Sequence, residues 1–185
     1  LSEAGGAFRP GIVHRIDKEV SGLIVIAKNQ NAFDHIKKQF KEKTVKKEYI
    51  ALVYKPMEKL EGVIDFPIER SISGKMKALP KTVGREKQTD GKIAVTEYEV
   101  IKNYHNYALL RIVIKTGRTH QIRVHLNAIN HPIVGDKLYR PKKLKEKIKL
   151  DRIFLHSSVL GFHDLNSKWV EYTSKIPPEL KNIRD

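Results

Sequence analysis

The chain has 185 residues, of which 40% are hydrophobic, and this length and composition fit one globular domain with a full core. It has no cysteine, which excludes disulfides and thiolate metal sites, and it shows no apolar run of membrane-spanning length and no visible signal peptide. Its 36 lysines and arginines against 21 acidic residues give a formal net charge of +15, which favours a nucleic acid partner over a merely lysine-rich surface.

The first informative stretch runs from Gly11 to Lys28 and reads GIVHRIDKEVSGLIVIAK. A Pro-Gly turn opens it, and the apolar run from Leu23 to Ala27 predicts a buried strand. Between these two features, Asp17 follows His14 and Arg15, and neighbouring positive charge keeps a carboxylate ionised. Such a carboxylate suits a nucleophile or base that acts on an anionic substrate, although Asp-Lys-Glu before Ser-Gly also has the composition of an ordinary turn.

Two regular elements are predicted next. Apolar residues at helical spacing predict a helix from Asn29 to Lys43, with an asparagine cap and lysines facing outward. Alternating residues predict a strand from Thr44 to Tyr54 that contains Tyr49. By its residues alone this tyrosine is a core residue of the strand, and an aromatic ring in the wall of a cleft can also stack on a base.

The middle of the chain is predicted to be less regular. Residues 55 to 92 are rich in proline, glycine and basic residues, and they indicate short strands and loops. This segment is either a phosphate-contacting arm or an ordinary exposed loop. An antiparallel hairpin is predicted from Ala94 to Ile101 and from Tyr107 to Ile114, with an apolar face on its second strand.

The second informative stretch runs from Lys115 to Leu126 and reads KTGRTHQIRVHL. Apolar residues at helical spacing predict a helix with Thr119 as its N-cap, and Asn130 ends the run. Four cations crowd the start of that helix: Lys115, Arg118, His120 and Arg123. Cations are unfavourable there unless an anion lies among them, either a phosphate or a protein carboxylate such as Asp17.

Two other candidate sites are weaker. Asp136 has a Gly-Asp context that indicates a structural turn rather than a catalytic acid. His120 and His125 are five residues apart, so they point to different faces of a helix, unlike the pair of a zinc helix. We therefore expect no metal site.

The C-terminal part is predicted to contain a lysine-rich connector from 140 to 152, followed by a last hairpin. Its strands are Val159 to Phe162 and Lys168 to Thr173, with a turn between them. A short helix is predicted to start at Pro177. No internal repeat is apparent in the sequence.

Three motifs, in this order, resemble the signatures of the RluA/RluD-type pseudouridine synthases. HRID followed by KEVSGLIVIAK is similar to the first signature, KEYIA to the second, and TGRTHQIRVH to the third. The segments HPIVGDKLY and IFLHSS continue the match, which runs from about Arg9 to the C-terminus. Ile16 and Val20 depart from the leucine and threonine that are usual in the first signature.

The resemblance implies a role for particular side chains. Asp17 would be the catalytic residue, and Arg123 would pair with it. Arg118 is the second choice for this pairing, with phosphate binding as its main expected role. Tyr49 would pack against the target base. The side chains implied to bind the substrate are His14, Arg15, Arg118, His120, Gln121 and Leu155, the last as part of the uracil pocket. No metal or organic cofactor is expected, because the reaction has no net redox change and transfers no group between molecules.

The resemblance also implies an α+β fold, with a mixed, mostly antiparallel central sheet, a few flanking helices and a basic catalytic cleft. The implied activity is isomerisation of specific uridines to pseudouridine in RNA, with large-subunit ribosomal RNA favoured over transfer RNA. The alternative is a non-catalytic RNA-binding module of the same fold. We expect residues 1–185 to be a catalytic domain without the family's N-terminal segment and S4-type domain, monomeric, cytoplasmic and not associated with a membrane.

Overall fold

The structure is a computed structural model, and it describes residues 1–2, 10–80, 91–141, 143–144, 148 and 150–181. The described helices are α1 (Gln30–Glu42), α2 (Gln121–Ala128) and a 3₁₀ turn at Pro178–Leu180. The described strands are β1 (Ser21–Gly22), β2 (Lys46–Tyr54), β3 (Glu61–Ile64), β4 (Ile68–Arg70), β5 (Met76–Ala78), β6 (Thr96–Asn103), β7 (Tyr107–Ile114), β8 (Leu155–His163) and β9 (Trp169–Thr173).

One mixed sheet organises this part of the chain. Its strands pair in the order β1, β8, β2, β7, β6, β3, and β9 pairs with β8 as well. The pairing of β1 with β8 is parallel and the other pairings are antiparallel, while β4 and β5 form a small separate ladder. The predicted α+β class with a mostly antiparallel sheet is therefore confirmed.

The core lies around the two central strands, β2 and β7. Ala51, Leu52 and Val53 of β2 are fully buried. The predicted apolar face of β7 is buried along its whole length. Helix α2 packs Ile122 and Leu126 into the same core, so the sheet fixes both the position and the rotation of this helix.

Helix α1 and both hairpins form close to the predicted positions. The side chain of Asn29 accepts a hydrogen bond from the backbone N–H of Ala32 at 2.9 Å and caps α1, and Lys43 ends the helix in a left-handed conformation. These elements depend on local chemistry, namely a polar cap, apolar periodicity and polar turns. No helix among the described residues is long and apolar enough to span a membrane.

The predicted buried strand from Leu23 to Ala27 is wrong. The strand at this place, β1, contains only Ser21 and Gly22, and the side chains of Ile24 and Ile26 are 40% and 43% exposed. The N–H of Leu23 donates to the carbonyl of Ser157 in β8, after which the backbone leaves this strand, and the N–H of Ala27 donates to the carbonyl of Gly11 instead. An apolar run alone does not show whether a neighbouring strand pairs with it along its whole length.

Gly22 is expected to be essential for the approach of β1 to β8. Its φ is +111°, and a Cβ atom at this position would lie 2.1 Å from the carbonyl oxygen of Ser157. We expect Gly22→Ala to lower the free energy of unfolding by about 3 kcal/mol, because both backbone strain and a backbone clash oppose it.

Urea denaturation measures this difference. The matched control is Gly117→Ala, since no atom lies within 4 Å of a Cβ built there and no left-handed φ is required. We expect the control to change stability by less than about 0.5 kcal/mol. Equal stabilities of the two variants would contradict the assigned role of Gly22.

Candidate active site

A cleft opens between the segment before β1 and the N-terminal end of α2. β2, β8 and the end of β7 form its floor. Its walls include most of the residues singled out in the sequence: Arg15, Asp17, Tyr49, Arg118, His120, Gln121, Arg123 and Leu155. The fold therefore brings together side chains that lie as many as 140 positions apart in the chain.

Asp17 and Arg123 form an ion pair within this cleft. Nη1 of Arg123 lies 3.5 Å from Oδ2 of Asp17, and the two side chains are 7% and 18% exposed, respectively. Arg118, the other arginine considered for this pairing, is exposed and its Nε donates to the carbonyl of Ile93 at 3.1 Å. The geometry thus favours Arg123 as the partner of Asp17.

A second carboxylate holds the same guanidinium more tightly. Nε and Nη2 of Arg123 each donate to the carboxylate of Asp136 at 2.8 Å, in a bidentate arrangement. The Asp136 carboxylate also accepts from the backbone N–H groups of Leu138 and Tyr139. The predicted turn role of Asp136 is present, but the sequence analysis missed its contact with Arg123, although it lies in the HPIVGDKLY segment.

These contacts keep Arg123 charged and aimed at Asp17. Burial opposes the charge, but the hydrogen bonds to Asp136 and the attraction of both carboxylates outweigh burial and raise the pKa of Arg123. The ring of Tyr139 adds a cation–π contact, with the guanidinium carbon 5.0 Å from the ring centroid. Asp136 and Tyr139 leave Nη1 of Arg123 directed at Asp17.

His120 lies on the other side of Asp17. Its Nε2 is 4.0 Å from Oδ2 of Asp17, and its Nδ1 is hydrogen-bonded to the hydroxyl of Tyr139 at 2.7 Å. Burial lowers the pKa of His120 more than the attraction of Asp17 raises it. Because the imidazole is neutral, Arg123 is the main positive charge beside the carboxylate of Asp17.

The start of α2 differs from the prediction. Thr119 is exposed, and the N-cap position is taken by His120 in a left-handed conformation, with a φ of 55° and no capping hydrogen bond from its side chain. A left-handed residue is unusual for a side chain larger than glycine and is retained where the surrounding structure demands it. Here it places the imidazole between Asp17 and Tyr139.

Tyr49 and Leu155 form the apolar side of the cleft. They lie on the neighbouring strands β2 and β8, and both are buried. Burial raises the pKa of Tyr49 to about 12, with the nearby charge of Asp17 acting in the same direction. An uncharged phenol beside an aliphatic wall can hold a flat, weakly polar ring.

Two residues predicted to bind the substrate make contacts within the protein, and Gln121 is the first. Its Oε1 accepts from the hydroxyl of Thr116 and the backbone N–H of Arg118, and its Nε2 donates to Val95 and Thr96. These contacts use both donors and both acceptor positions of the amide. Gln121 therefore fixes the turn that presents Arg118 and has no group left for RNA.

His14 is the second. It does not line the cleft; its Nε2 accepts from the backbone N–H of Val25 at 2.9 Å, and its ring stacks on Phe40 at 4.5 Å. Burial, with a further contribution from Lys47, lowers the pKa of His14 from 6.5 to about 4. An imidazole that accepts a backbone hydrogen bond must be neutral, so it joins the first signature to α1 rather than binding a phosphate.

We expect this histidine to make the fold sensitive to acid. Between pH 6.5 and about 4 the unfolded chain binds a proton at His14 and the folded chain does not, so stability falls as the pH falls through this range. Urea denaturation at about pH 7 and about pH 5 should show a loss that is smaller in His14→Gln by about 1–2 kcal/mol. The exposed His105→Gln is the control and should keep the wild-type loss; an unchanged loss in His14→Gln would contradict the prediction.

The described residues contain no group of three or more histidine, aspartate or glutamate side chains arranged to hold a metal ion. The described cleft offers the carboxylate of Asp17, the guanidinium of Arg123, the imidazole of His120 and the phenol of Tyr49. Such a site can supply a nucleophile or a base, and it can stabilise negative charge.

Comparisons with known proteins agree with this chemistry. A family model described as RNA pseudouridylate synthase matches residues 1–128. An uncharacterized RNA pseudouridine synthase of Bacillus subtilis is 40% identical over 184 residues, which cover 99% of this chain and 57% of that protein. The ribosomal large subunit pseudouridine synthase D of Zymomonas mobilis is 38% identical, with coverages of 98% and 57%. The chain thus spans about half the length of the curated relatives it matches.

The fold also matches solved structures. Human RNA pseudouridylate synthase domain containing 1 superposes with a TM-score of 0.79 at 28% identity, covering 92% of this chain and 71% of that chain. Human RNA pseudouridylate synthase domain containing 4 gives a TM-score of 0.73 at 25% identity, with coverages of 91% and 72%. Sequence and structure point to one and the same group of proteins.

Proposed function

This chain belongs to the RNA pseudouridylate synthase family, and on that premise we propose that it isomerises uridine to pseudouridine in RNA. The observation that carries the proposal is the carboxylate of Asp17, 3.5 Å from Arg123, in a cleft that Tyr49 and Leu155 line. A base within a paired stem is out of reach of such a carboxylate. The target uridine is therefore flipped into the cleft, at a cost of a few kcal/mol.

Asp17 initiates the reaction in this proposal. It either attacks the nucleotide covalently or removes a proton from the sugar, and both routes need its ionised form. The bond between the sugar and N1 of uracil breaks, the base turns, and a bond from the sugar to C5 forms. C5 loses its hydrogen as a proton and N1 gains a proton, so the composition of the nucleotide is unchanged. Arg123 holds the carboxylate of Asp17 in place throughout these steps.

The other cleft residues receive roles that follow from their positions. Tyr49 packs against the flipped base and Leu155 closes the apolar wall. Arg15 and Arg118 are exposed at the mouth of the cleft, where guanidinium groups bind phosphates. His120, held neutral beside Asp17, occupies space near the base.

We propose ribosomal RNA as the substrate, with transfer RNA as the competing class. The support is the printed name of the Zymomonas mobilis relative, a ribosomal large subunit pseudouridine synthase. A formal net charge of +15 agrees with any RNA. Action as a monomer in the cytoplasm belongs to the same proposal.

The experiment maps pseudouridines at single-nucleotide resolution in RNA from cells with and without this gene. We expect at least one uridine of large-subunit ribosomal RNA to lose its modification, and the gene with Asp17 intact to restore it. Loss confined to transfer RNA would overturn the ribosomal assignment. If no uridine changes and RNA binding is retained, the chain is the non-catalytic RNA-binding module rather than an enzyme.

A further inference from the structure

A second groove adjoins the cleft, and cations line it. It lies between the C-terminal end of α1, the first half of β2 and the turn that joins β7 to α2. Its charged lining residues are Arg15, Lys41, Lys43, Lys47, Lys115 and Arg118, and no carboxylate of the described chain lines it. Lys115 has a carboxylate, that of Glu97, 3.8 Å away outside this lining. The lining as a whole still carries an excess of positive charge, and like charges gathered in one place are unfavourable, so the groove is suited to an anion.

Lys47 is the groove residue that is buried and has no ion-pair partner among the described residues. The residue is 8% exposed, and its ammonium makes no ion pair and no hydrogen bond with the described residues. Its one noted partner is the ring of Phe40, with Nζ 5.8 Å from the centroid. Burial lowers the pKa of Lys47. A largely buried lysine whose ammonium faces a groove without an acidic partner is poorly compensated, and such charges are normally paired.

The neighbouring lysine shows what pairing would look like. Lys46 points to the opposite face of β2, where its Nζ lies 3.2 Å from Glu48 and 3.1 Å from Glu171. The two lysines are consecutive in the chain and differ in what surrounds them. Among the described residues, carboxylates pair with Lys46 and none pairs with Lys47, and this difference points to another molecule as the source of the anion at Lys47.

The groove is continuous with the cleft. Arg15, Tyr49 and Arg118 line both. A nucleotide held against Tyr49 therefore has its neighbour in the strand directed along the groove. Phosphates are the anions that an RNA strand carries at every nucleotide, so the chemistry of the groove and the path of the strand agree.

We propose that Lys47 is the centre of a phosphate subsite that holds the RNA backbone beside the nucleotide in the cleft. This inference rests on the proposed function for the identity of the ligand. It adds to that function a path for the RNA strand and one binding residue, Lys47. Lys41, Lys43 and Lys115 extend the subsite along the groove. Lys47 acts in binding through its charge, while Asp17 acts in the chemistry.

The test measures RNA affinity rather than turnover. The probe is a fluorescein-labelled oligouridine of about 12 nucleotides, and its anisotropy is recorded with the full chain over a series of KCl concentrations. We expect Lys47→Met to weaken binding by about tenfold at moderate salt and to reduce the slope of log Kd against log salt by about 0.7 to 1. The matched control, Lys46→Met, removes the same charge one residue away, and its Kd should stay within about twofold of wild type.

Two further measurements keep the proposal open to refutation if Lys47→Met folds poorly. Lys47→Arg keeps the charge and is expected to keep the salt slope of the wild type. In the unaltered protein, oligouridine is expected to protect Lys47 but not Lys46 from acetylation, as measured by mass spectrometry.

Equal loss of affinity in Lys46→Met and Lys47→Met would overturn the subsite, and so would an unchanged Kd in Lys47→Met or equal acetylation of Lys47 with and without RNA. Affinity does not depend on isomerisation, so the two proposals fail separately. If the protein forms no pseudouridine but Lys47→Met weakens RNA binding, the proposed function is wrong and the subsite stands. If the protein forms pseudouridine but Lys47→Met binds RNA as the wild type does, only the subsite is wrong.

Discussion

Replacing Asp17 with asparagine is expected to lower the rate of pseudouridine formation by at least about 10³-fold, because a neutral amide is neither a nucleophile nor a base of useful strength. RNA binding should stay within about twofold, since the change removes a negative charge from a cleft that receives a polyanion. The fold should survive, because the Asp17 side chain is 18% exposed and its contact with Arg123 is long, at 3.5 Å.

Single-turnover kinetics with a uridine-containing RNA identified by mapping, together with a binding isotherm, separate the two effects. Glu19→Gln is the matched control, since it makes the same change of charge on an exposed side chain two residues away. We expect the control to retain turnover within about twofold. Turnover in Asp17→Asn comparable to that of Glu19→Gln would remove Asp17 from the reaction.

The second large effect is expected at Asp136. Replacing it with alanine is expected to lower the free energy of unfolding by about 3–5 kcal/mol, because the buried guanidinium of Arg123 loses its bidentate partner and keeps only the longer contact with Asp17. The Asp136 side chain is 1% exposed and holds Arg123 by two bonds of 2.8 Å. Two backbone N–H groups, those of Leu138 and Tyr139, lose their acceptor as well.

Urea denaturation measures this loss, and Asp164→Ala is the control. Asp164 accepts from two backbone N–H groups of an exposed turn between β8 and β9, as Asp136 does in its own turn, but no arginine pairs with it among the described contacts. The control should cost about 1 kcal/mol or less. If both variants lose the same stability, the turn rather than the pairing with Arg123 explains the effect.

The Asp136 variant is also expected to lose turnover where it remains folded. Freed from its bidentate partner, the guanidinium of Arg123 is able to turn fully towards Asp17 or away from it, and either movement changes the geometry at the carboxylate. The double variant Asp136→Ala with Arg123→Met removes the unpaired charge and should recover part of the lost stability but none of the activity. Recovered activity would contradict the positioning role of Asp136.

Much of this protein can be predicted from local sequence. Asn29 as a cap and the apolar spacing behind it predict α1, and the polar turns between alternating strands predict both hairpins. The cations around Arg123 predict an anion near the start of α2, and Asp17 is the natural candidate. These features depend on near neighbours in the chain, where periodicity and charge are informative.

The partners of several other side chains were decided only by the tertiary structure. From the sequence, Gln121 and His14 are predicted to bind RNA. In the folded protein, Gln121 is hydrogen-bonded to the turn before α2, and the ring of His14 stacks on Phe40. Lys46 and Lys47 are the same residue type in one strand, yet among the described residues carboxylates pair only with the first. The sequence by itself determined the elements, the net charge and the catalytic candidate Asp17. The sheet decided which side chains meet, because burial and pairing depend on segments far apart in the chain that no local pattern relates.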